Sequence, residues 1–426
     1  MTQTSVSYAN RTLSTNASSK ALNLDNINQS VRSAKYAVRG ELAVKAEAYR
    51  QQLAEGDKSL PFDSVIFANI GNPQQLDQQP ITFFRQVLSI VENPLLLENA
   101  EALKTSFGYH QDVIDRAQAL LANVQSVGAY SHSQGAPGIR NSVAKFIEER
   151  DGFPANPQDL FLTGGASSGV STLLNVICNN PSAGVLVPIP QYPLYTATLA
   201  LLNAQCVPYY LEEQKAWGTD INAIYQSIKD AKAAGTDVRA VVVINPGNPT
   251  GASLSAEDIK QVLDIAAEES LVVIADEVYQ TNVFSGEFIS FKKRLRQLQQ
   301  EQPGKYDDVE LVSLHSTSKG MVGECGHRGG YFELVGFDPL VQEQIYKLVS
   351  IGLCPPVVAQ CLLETMVNPP KEGEPSFELY QKEYNGIRDG LHKRALALFD
   401  AFQRMEGVEC QEPQVSAVLF NLPPKP

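Results

Sequence analysis

The residues of this chain best equipped for chemistry lie within HSTSKGMVGECGHRGGY, residues 315–331. Lys319 stands there among hydroxyls and glycines, with Ser316 shortly before it and Arg328 downstream. An amine crowded by small groups and partly stripped of water has a depressed pKa, and its neutral form is a nucleophile that condenses with a carbonyl. The planar fork of Arg328 matches a phosphate, and Ser316 adds a hydroxyl donor. A solvated surface lysine, the commoner use of the residue, needs none of this company.

Four other stretches end apolar runs in a similar way. LVVIADEVY carries Asp276 to the end of a β-branched run, which places the carboxylate deep, where it needs a cationic or donating partner. A structural ion pair or a metal ligand is the alternative for Asp276, although no histidine of the five sits nearby at ligand spacing. LFLTGGASSGVSTLL reads as strand, glycine-rich turn and helix, so that backbone N–H groups at the helix N-terminus would face an anion. Val170 stands where a nucleotide P-loop needs lysine, and the stretch does not fit the dinucleotide fingerprint. A plain helix start capped by Ser167 or Ser168 is the bland alternative. NPGNPTG offers the amides of Asn245 and Asn248, and PIPQYPLY offers the ring of Tyr192, though most such stretches are turns or packed loop aromatics. A lysine, a deep aspartate, a phosphate-holding helix start and a stacking aromatic together describe a site for pyridoxal phosphate.

The elements that must position these groups are legible as an alternation from residue 142 onward. NSVAKFIEERD, SSGVSTLLNVICNN, YTATLALLN, INAIYQSIKDAKAAG and SAEDIKQVLDIAAEES have helical patterns. Between and after them, LFLTGGA, GVLVPIP, AQCVPYYL, RAVVVINP, LVVIADEVY and ELVSLHS read as strands. Continuous β-branched runs between helices predict an α/β fold with a mainly parallel sheet covered by helices on both faces. Ligands of such sheets sit at the carboxyl ends of the strands, where GGASSG, PIPQYP, NPGNPTG, DEVYQ and HSTSK all fall. Ahead of this region, residues 26–55 carry a helical pattern broken by Gly40, followed by a strand-like VIFANIG that ends at Gly71. NPPKEGEPS, residues 368–376, reads as a hinge before a second domain that opens with a long helix near Phe377.

Bulk properties narrow the partners. With 426 residues, 43% apolar and 19% charged, the chain can bury a large core and divide into two domains. A net charge of −13 argues against nucleic acid or an anionic membrane and requires any anionic ligand to be held by local cations. The six cysteines have neither CxxC spacing nor a small-protein framework and read as reduced thiols. Residues 1–24, rich in Ser, Thr and Asn with Arg11 and Lys20, read as a flexible cytoplasmic tail, with a mitochondrial presequence and matrix location as the alternative.

In their order along the chain, YAVRGEL, FANIGNPQQ, PITFFRQVLS, VPIPQYPLY, VINPGNPTG, IADEVYQ, LHSTSKG and GECGHRGGY resemble the alanine aminotransferases, a branch of the fold type I, class I/II pyridoxal phosphate aminotransferases. The resemblance runs over about residues 22–425. It implies a large cofactor domain at 69–367 and a smaller α+β domain built from an N-terminal segment, 25–68, and a C-terminal one, 368–426. It implies that Lys319 forms a Schiff base with the cofactor and moves the α-proton, and that Asp276 pairs with the ring nitrogen. Tyr279 and Asn248 would bond the ring hydroxyl oxygen, Tyr192 would stack on the ring, and Ala166, Ser167, Ser316 and Arg328 would hold the phosphate. Tyr130 would reach the phosphate of a neighbouring subunit in a homodimer with shared sites. Gly71 would line the substrate pocket with Asn248, and Arg39 would meet the second carboxylate of glutamate. The implied reaction is ping-pong transfer of the amino group from L-alanine to 2-oxoglutarate, giving pyruvate and L-glutamate.

The resemblance breaks near Pro426, before the Phe-Arg pair that clamps the substrate α-carboxylate in this family. The expectation is a fragment or truncated gene model lacking the C-terminal part of the small domain. A cofactor-binding protein with little activity, a glutamate:glyoxylate aminotransferase and a fold type I lyase acting on a sulfur amino acid are the alternatives.

Overall fold

Runs such as AVVVI and VVIAD have no polar face to offer water, so they are stable only as strands covered on both sides. The computed structural model, which describes residues 21–36, 38, 40–67, 70–408 and 410–415, places them at the centre of one sheet. Its strands are β1 (Leu160–Thr163), β2 (Ala183–Ile189), β3 (Gln205–Glu212), β4 (Gly218–Thr219), β5 (Asp237–Ile244), β6 (Val272–Asp276), β7 (Leu311–Ser316) and β8 (Gly330–Val335). They lie in the order β1-β8-β7-β6-β5-β2-β3-β4. Strands β7, β6, β5, β2 and β3 are parallel neighbours, β8 runs antiparallel to both β7 and β1, and β4 is antiparallel to β3. Two reversals restore direction, so β1 points the same way as the parallel strands and its glycine turn falls at the same edge of the sheet.

Successive side chains on a strand point to opposite faces, which explains why these runs are apolar throughout. Val241 and Val243 pack in the cluster that contains Ile259, Val262 and Ile265 of the helix Ala256–Glu269. Ala240 and Val242 join Val170 and Leu174 of the helix Ala166–Ile177 on the other face. The helix Ala256–Glu269 begins with a reciprocal capping box between Ser255 and Asp258, worth about 1 kcal/mol. A third cluster gathers the helices Thr82–Glu92, Gln111–Val124, Pro137–Asp151 and Val357–Val367. The long helix Phe377–Phe402 starts against this cluster, with the Tyr380 ring 6.1 Å from that of Phe84. Among the described residues no helix is long and apolar enough to cross a membrane, and all six cysteines are free.

The structure departs from the sequence reading in three places. The helical pattern at 26–55 is two helices, Gln29–Ser33 and Glu41–Ala54, with Gly40 as the N-cap of the second. In VIFANIG, residues 65–67 form no strand; with no sheet partner, a β-branched run remains a connection that delivers Gly71 to the sheet edge. Strand β8 was not anticipated, although it pairs along the full lengths of both β7 and β1.

Among the buried titratable residues, one is a histidine. His315 on β7 is 2% exposed, lies parallel to the Phe146 ring and edge-on to Tyr331, and neither of its ring nitrogens makes a well-formed hydrogen bond among the described residues. Burial, reinforced by Arg150, pushes its pKa down to about 3. The unfolded chain therefore binds a proton near the ordinary value of 6.5 that the folded chain refuses, and stability falls as pH drops from that value toward about 3. Equilibrium unfolding of His315→Phe, at matched cofactor loading, is expected to lose stability less steeply than the native protein across that window, with equal slopes counting against this account.

Candidate active site

At the carboxyl edge of the sheet a cavity of ≈ 630 Å³ opens between the ends of the strands and the segment around Gly71. The chain leaves β7 at Ser316 and turns at once, placing Lys319 on the cavity wall. The Lys319 Nζ donates to the Gly71 carbonyl at 2.7 Å. Burial depresses the lysine pKa; Cys325 opposes this, and the Arg328 guanidinium adds a smaller push downward. A Cβ at Gly71 would lie 3.3 Å from Nζ, so the absence of a side chain there leaves the amine its room.

Arg328 stands in a left-handed conformation (φ 62°) just before β8, which turns its side chain back to the end of β1. Its Nη2 donates to the Gly164 carbonyl and the Ser167 hydroxyl, both at 3.1 Å, and its Nη1 donates to the Cys325 carbonyl at 3.2 Å. The helix Ala166–Ile177 starts beside it with Gly165 as N-cap and no side-chain cap. The bland reading of Ser167 or Ser168 as N-cap is thus corrected: both lie inside the first turn, which frees the Ser167 hydroxyl to face the guanidinium. Ser316 Oγ receives the Ser318 N–H at 3.0 Å and lies 2.9 Å from the Ser318 hydroxyl, within the same pocket. A guanidinium, two loop hydroxyls and a helix N-terminus form a cradle for a dianion.

The two acids of DEVY are divided by the pleat. Asp276 faces the cavity, whereas Glu277 turns to the opposite side and is wholly buried. Glu277 accepts from the Phe291 N–H at 2.8 Å and the Ser313 hydroxyl at 2.5 Å, with Arg150 4.0 Å away. Burial pushes Glu277 up to about 7 despite these partners. Asp276 has less support. Its Oδ2 accepts from the Tyr195 hydroxyl at 2.8 Å and its Oδ1 only a long bond, 3.4 Å, from the Val278 N–H. Burial raises its pKa against those two donors, and no cation compensates among the described residues. No ion pair holds Asp276 among the described residues, and no group of three or more His, Cys, Asp or Glu that could hold a metal ion occurs among them.

Tyr279, Asn248 and Tyr192 complete the wall. Tyr192 is fixed by a 2.6 Å bond between its hydroxyl and that of Tyr36, brought from the N-terminal segment. Of the two amides proposed from NPGNPTG, Asn248 lines the cavity, while Asn245 is buried and bonded to the backbone of Leu254 and Ile289. Tyr130 does not line the cavity of its own chain and is 79% exposed. Arg39 lies outside the described residues.

Sequence reasoning missed a clamp behind the lysine turn. Arg85 of the helix Thr82–Glu92 grips Glu324 through Nε at 2.8 Å and Nη2 at 2.9 Å, and Nη2 also donates to Gln74 at 2.9 Å. Gln74 in turn donates to the Gly323 carbonyl at 3.2 Å, and His327 Nδ1 lies 3.0 Å from Glu324. These contacts tie the Gly71 segment to the loop between Lys319 and Arg328. The only sequence signal was a lone arginine in an otherwise apolar helix start.

The donor set fits pyridoxal phosphate. The amine suits its aldehyde, the cradle its phosphate, and the cation-free buried carboxylate a protonated ring nitrogen. A methyl at Gly165 would lie 2.5 Å from Arg328 Nη2, so the cradle exists only because that residue is glycine.

Comparison with known proteins agrees with the geometry. The family model for aminotransferase class I and II matches residues 101–425. The mitochondrial alanine aminotransferase of Saccharomyces cerevisiae is 53% identical, over 94% of this chain and 68% of that protein. An inactive alanine aminotransferase of the same yeast is 47% identical, over 92% of this chain and 78% of its own length. Among solved structures, an alanine aminotransferase from Pyrococcus furiosus superposes with a TM-score of 0.71 at 23% identity, covering 94% of this chain and 85% of that one, a likeness of fold.

The Gly165 backbone (φ 92°, ψ 163°) belongs to a region that only glycine occupies without a cost of about 1–3 kcal/mol. Gly165→Ala is expected to weaken pyridoxal phosphate binding by about tenfold or more, measured by equilibrium dialysis, with the circular dichroism of the fold unchanged. Undiminished affinity would show that Arg328 does not need that space.

Proposed function

The chain belongs to the class I and II aminotransferases, and from that premise we propose that it transfers the amino group of L-alanine to 2-oxoglutarate, giving pyruvate and L-glutamate, with pyridoxal phosphate as cofactor. The observation that carries this reading is the opening of the Lys319 amine onto the same cavity as the Asp276 carboxylate and the Arg328 cradle. When bound, pyridoxal phosphate supplies an electron sink for the pair left behind when the substrate loses its α-proton.

The protein's own residues divide the remaining work. Arg328, Ser167, Ser316 and the first N–H groups of the helix at Ala166 hold the phosphate and so fix the register of the whole ligand. Asp276 balances the charge on the ring nitrogen, and in a site this dry a carboxylate is worth far more than in water. Tyr279 and Asn248 take the ring hydroxyl oxygen, and Tyr192 covers the ring face. The Lys319 amine, whose depressed pKa favours its neutral form, would take the proton from the substrate α-carbon at Nζ and hold it for return. Gly71 and Asn248 border the space for the substrate. Ping-pong kinetics follow, because donor and acceptor use one pocket in turn.

The wider arrangement extends the proposal. Tyr130, exposed on its own chain, would complete the cradle of a second copy in a homodimer. Arg39 would meet the distal carboxylate of glutamate. The cofactor domain would span 69–367, with 25–68 and 368–426 contributing to a smaller one after a tail at 1–24. A mitochondrial compartment, that of similar aminotransferases from yeast and Dictyostelium discoideum described as mitochondrial, suits the chain better than a cytoplasmic one.

Because one similar protein is described as inactive, turnover rather than cofactor uptake decides the question. The purified 426-residue chain is expected to form pyruvate from L-alanine only when 2-oxoglutarate is present, read by a coupled dehydrogenase assay. Lys319→Ala is expected to lower kcat by at least about a hundredfold with the phosphate still bound. Cofactor uptake without pyruvate in the native chain would favour a binding protein, and full activity in Lys319→Ala would remove the lysine from its role.

A further inference from the structure

Among the groups lining or backing the cavity, Tyr195 is left without a role. It is the last residue of PIPQYPLY, lies in the first turn of the helix Leu194–Leu201 and is wholly buried. A phenol in that position requires an acceptor, and the one it finds is Asp276 Oδ2 at 2.8 Å. It is the only side chain among the described residues that hydrogen-bonds Asp276; the Val278 N–H reaches the other oxygen at a length near the limit of a hydrogen bond.

We propose that Tyr195 is a positioning residue that keeps Asp276 in its carboxylate form, and so decides on which side of the contact between Asp276 and the cofactor's ring nitrogen the shared proton stays. This inference rests on the pyridoxal phosphate reading of the site. The physics is a competition for one proton. A neutral carboxylic acid beside a neutral pyridine and a carboxylate beside a pyridinium contain the same atoms and differ only in the proton's place. Burial favours the uncharged arrangement, whereas a hydrogen bond donated to the carboxylate favours the charged one.

Both influences act on Asp276, with burial raising its pKa and the Tyr195 hydroxyl lowering it. Tyr195 cannot exchange its role, because burial and the neighbouring aspartate hold its own pKa well above the usual phenol range. It therefore stays a neutral donor wherever the protein is folded. The stretch PIPQYPLY thus meets the site twice, with Tyr192 on the cavity wall and Tyr195 behind the acid.

The test is nitrogen NMR of the holoprotein loaded with pyridoxal phosphate labelled at the ring nitrogen. The native protein is expected to give a shift between neutral pyridine and free pyridinium, on the pyridinium side, as for a proton shared with a carboxylate, and Tyr195→Phe a shift moved toward neutral pyridine. In the same variant kcat is expected to fall about tenfold, as for loss of one hydrogen bond to a charged group, with the KM for alanine within about threefold. Fluorotyrosine at position 195 keeps the shape but donates more strongly, so its shift should move the opposite way from that of phenylalanine. An unmoved shift in both proteins would overturn the role of Tyr195, and if the phenylalanine protein does not fold, an unmoved shift in the fluorotyrosine protein does so alone. Failure of the native protein to take up the cofactor would instead overturn the reading of the site itself.

Discussion

An acid driven into the end of a buried strand, with a phenol for its only side-chain hydrogen-bond partner among the described residues, is the constraint on which the rest of this structure depends. Moving a carboxylate out of water is expensive unless a cation or several donors await it. Asp276 has one good donor and no cation, whereas its neighbour Glu277, turned to the opposite face, has a hydroxyl, a backbone N–H and Arg150. The contrast between adjacent residues separates a structural acid from one left short of charge. A protonated heterocycle is the kind of partner that would relieve it.

The other charged groups are arranged around that deficit. Arg328 and Lys319 both stem from the stretch that follows β7, so two cations face one cavity and Arg328 adds to the burial that disfavours the lysine's charge. The lysine yields, since guanidinium does not lose its proton. What keeps the two at a set separation is the loop between them, and Arg85 holds that loop through the buried Glu324. Through Gln74 the same arginine reaches the segment that carries Gly71, the carbonyl acceptor of the lysine. Amine, cradle and substrate wall thus share one support.

Membership of the class I and II aminotransferases accounts for the shape of the sheet and for the choice of its carboxyl edge. It does not by itself account for activity, because a similar yeast protein is described as inactive. The exposure of Tyr130 fits a site completed by a second copy.

The sequence alone determined the parts that depend on local pattern. Apolar runs without a polar face made the buried strands, glycines and prolines after them made the turns, and residues at strand ends had to share one edge because parallel strands point one way. That logic brought the strand ends that carry Lys319, Asp276, Ser167, Tyr192 and the turn of Asn245 and Asn248 to one edge, while the choice of Asn248 came from the family resemblance and that of Arg328 from its planar fork downstream of Lys319. Contacts between residues distant along the chain were decided only by the tertiary structure. VIFANIG has the composition of a strand, yet residues 65–67 form none, since a strand needs a partner and the pattern does not supply one. The pairing of β8 between β7 and β1, the grip of Arg85 on Glu324 and the bond from Tyr195 to Asp276 join positions roughly 20 to 240 residues apart. Composition says that a buried polar group must find a partner, but only the packed chain says which one.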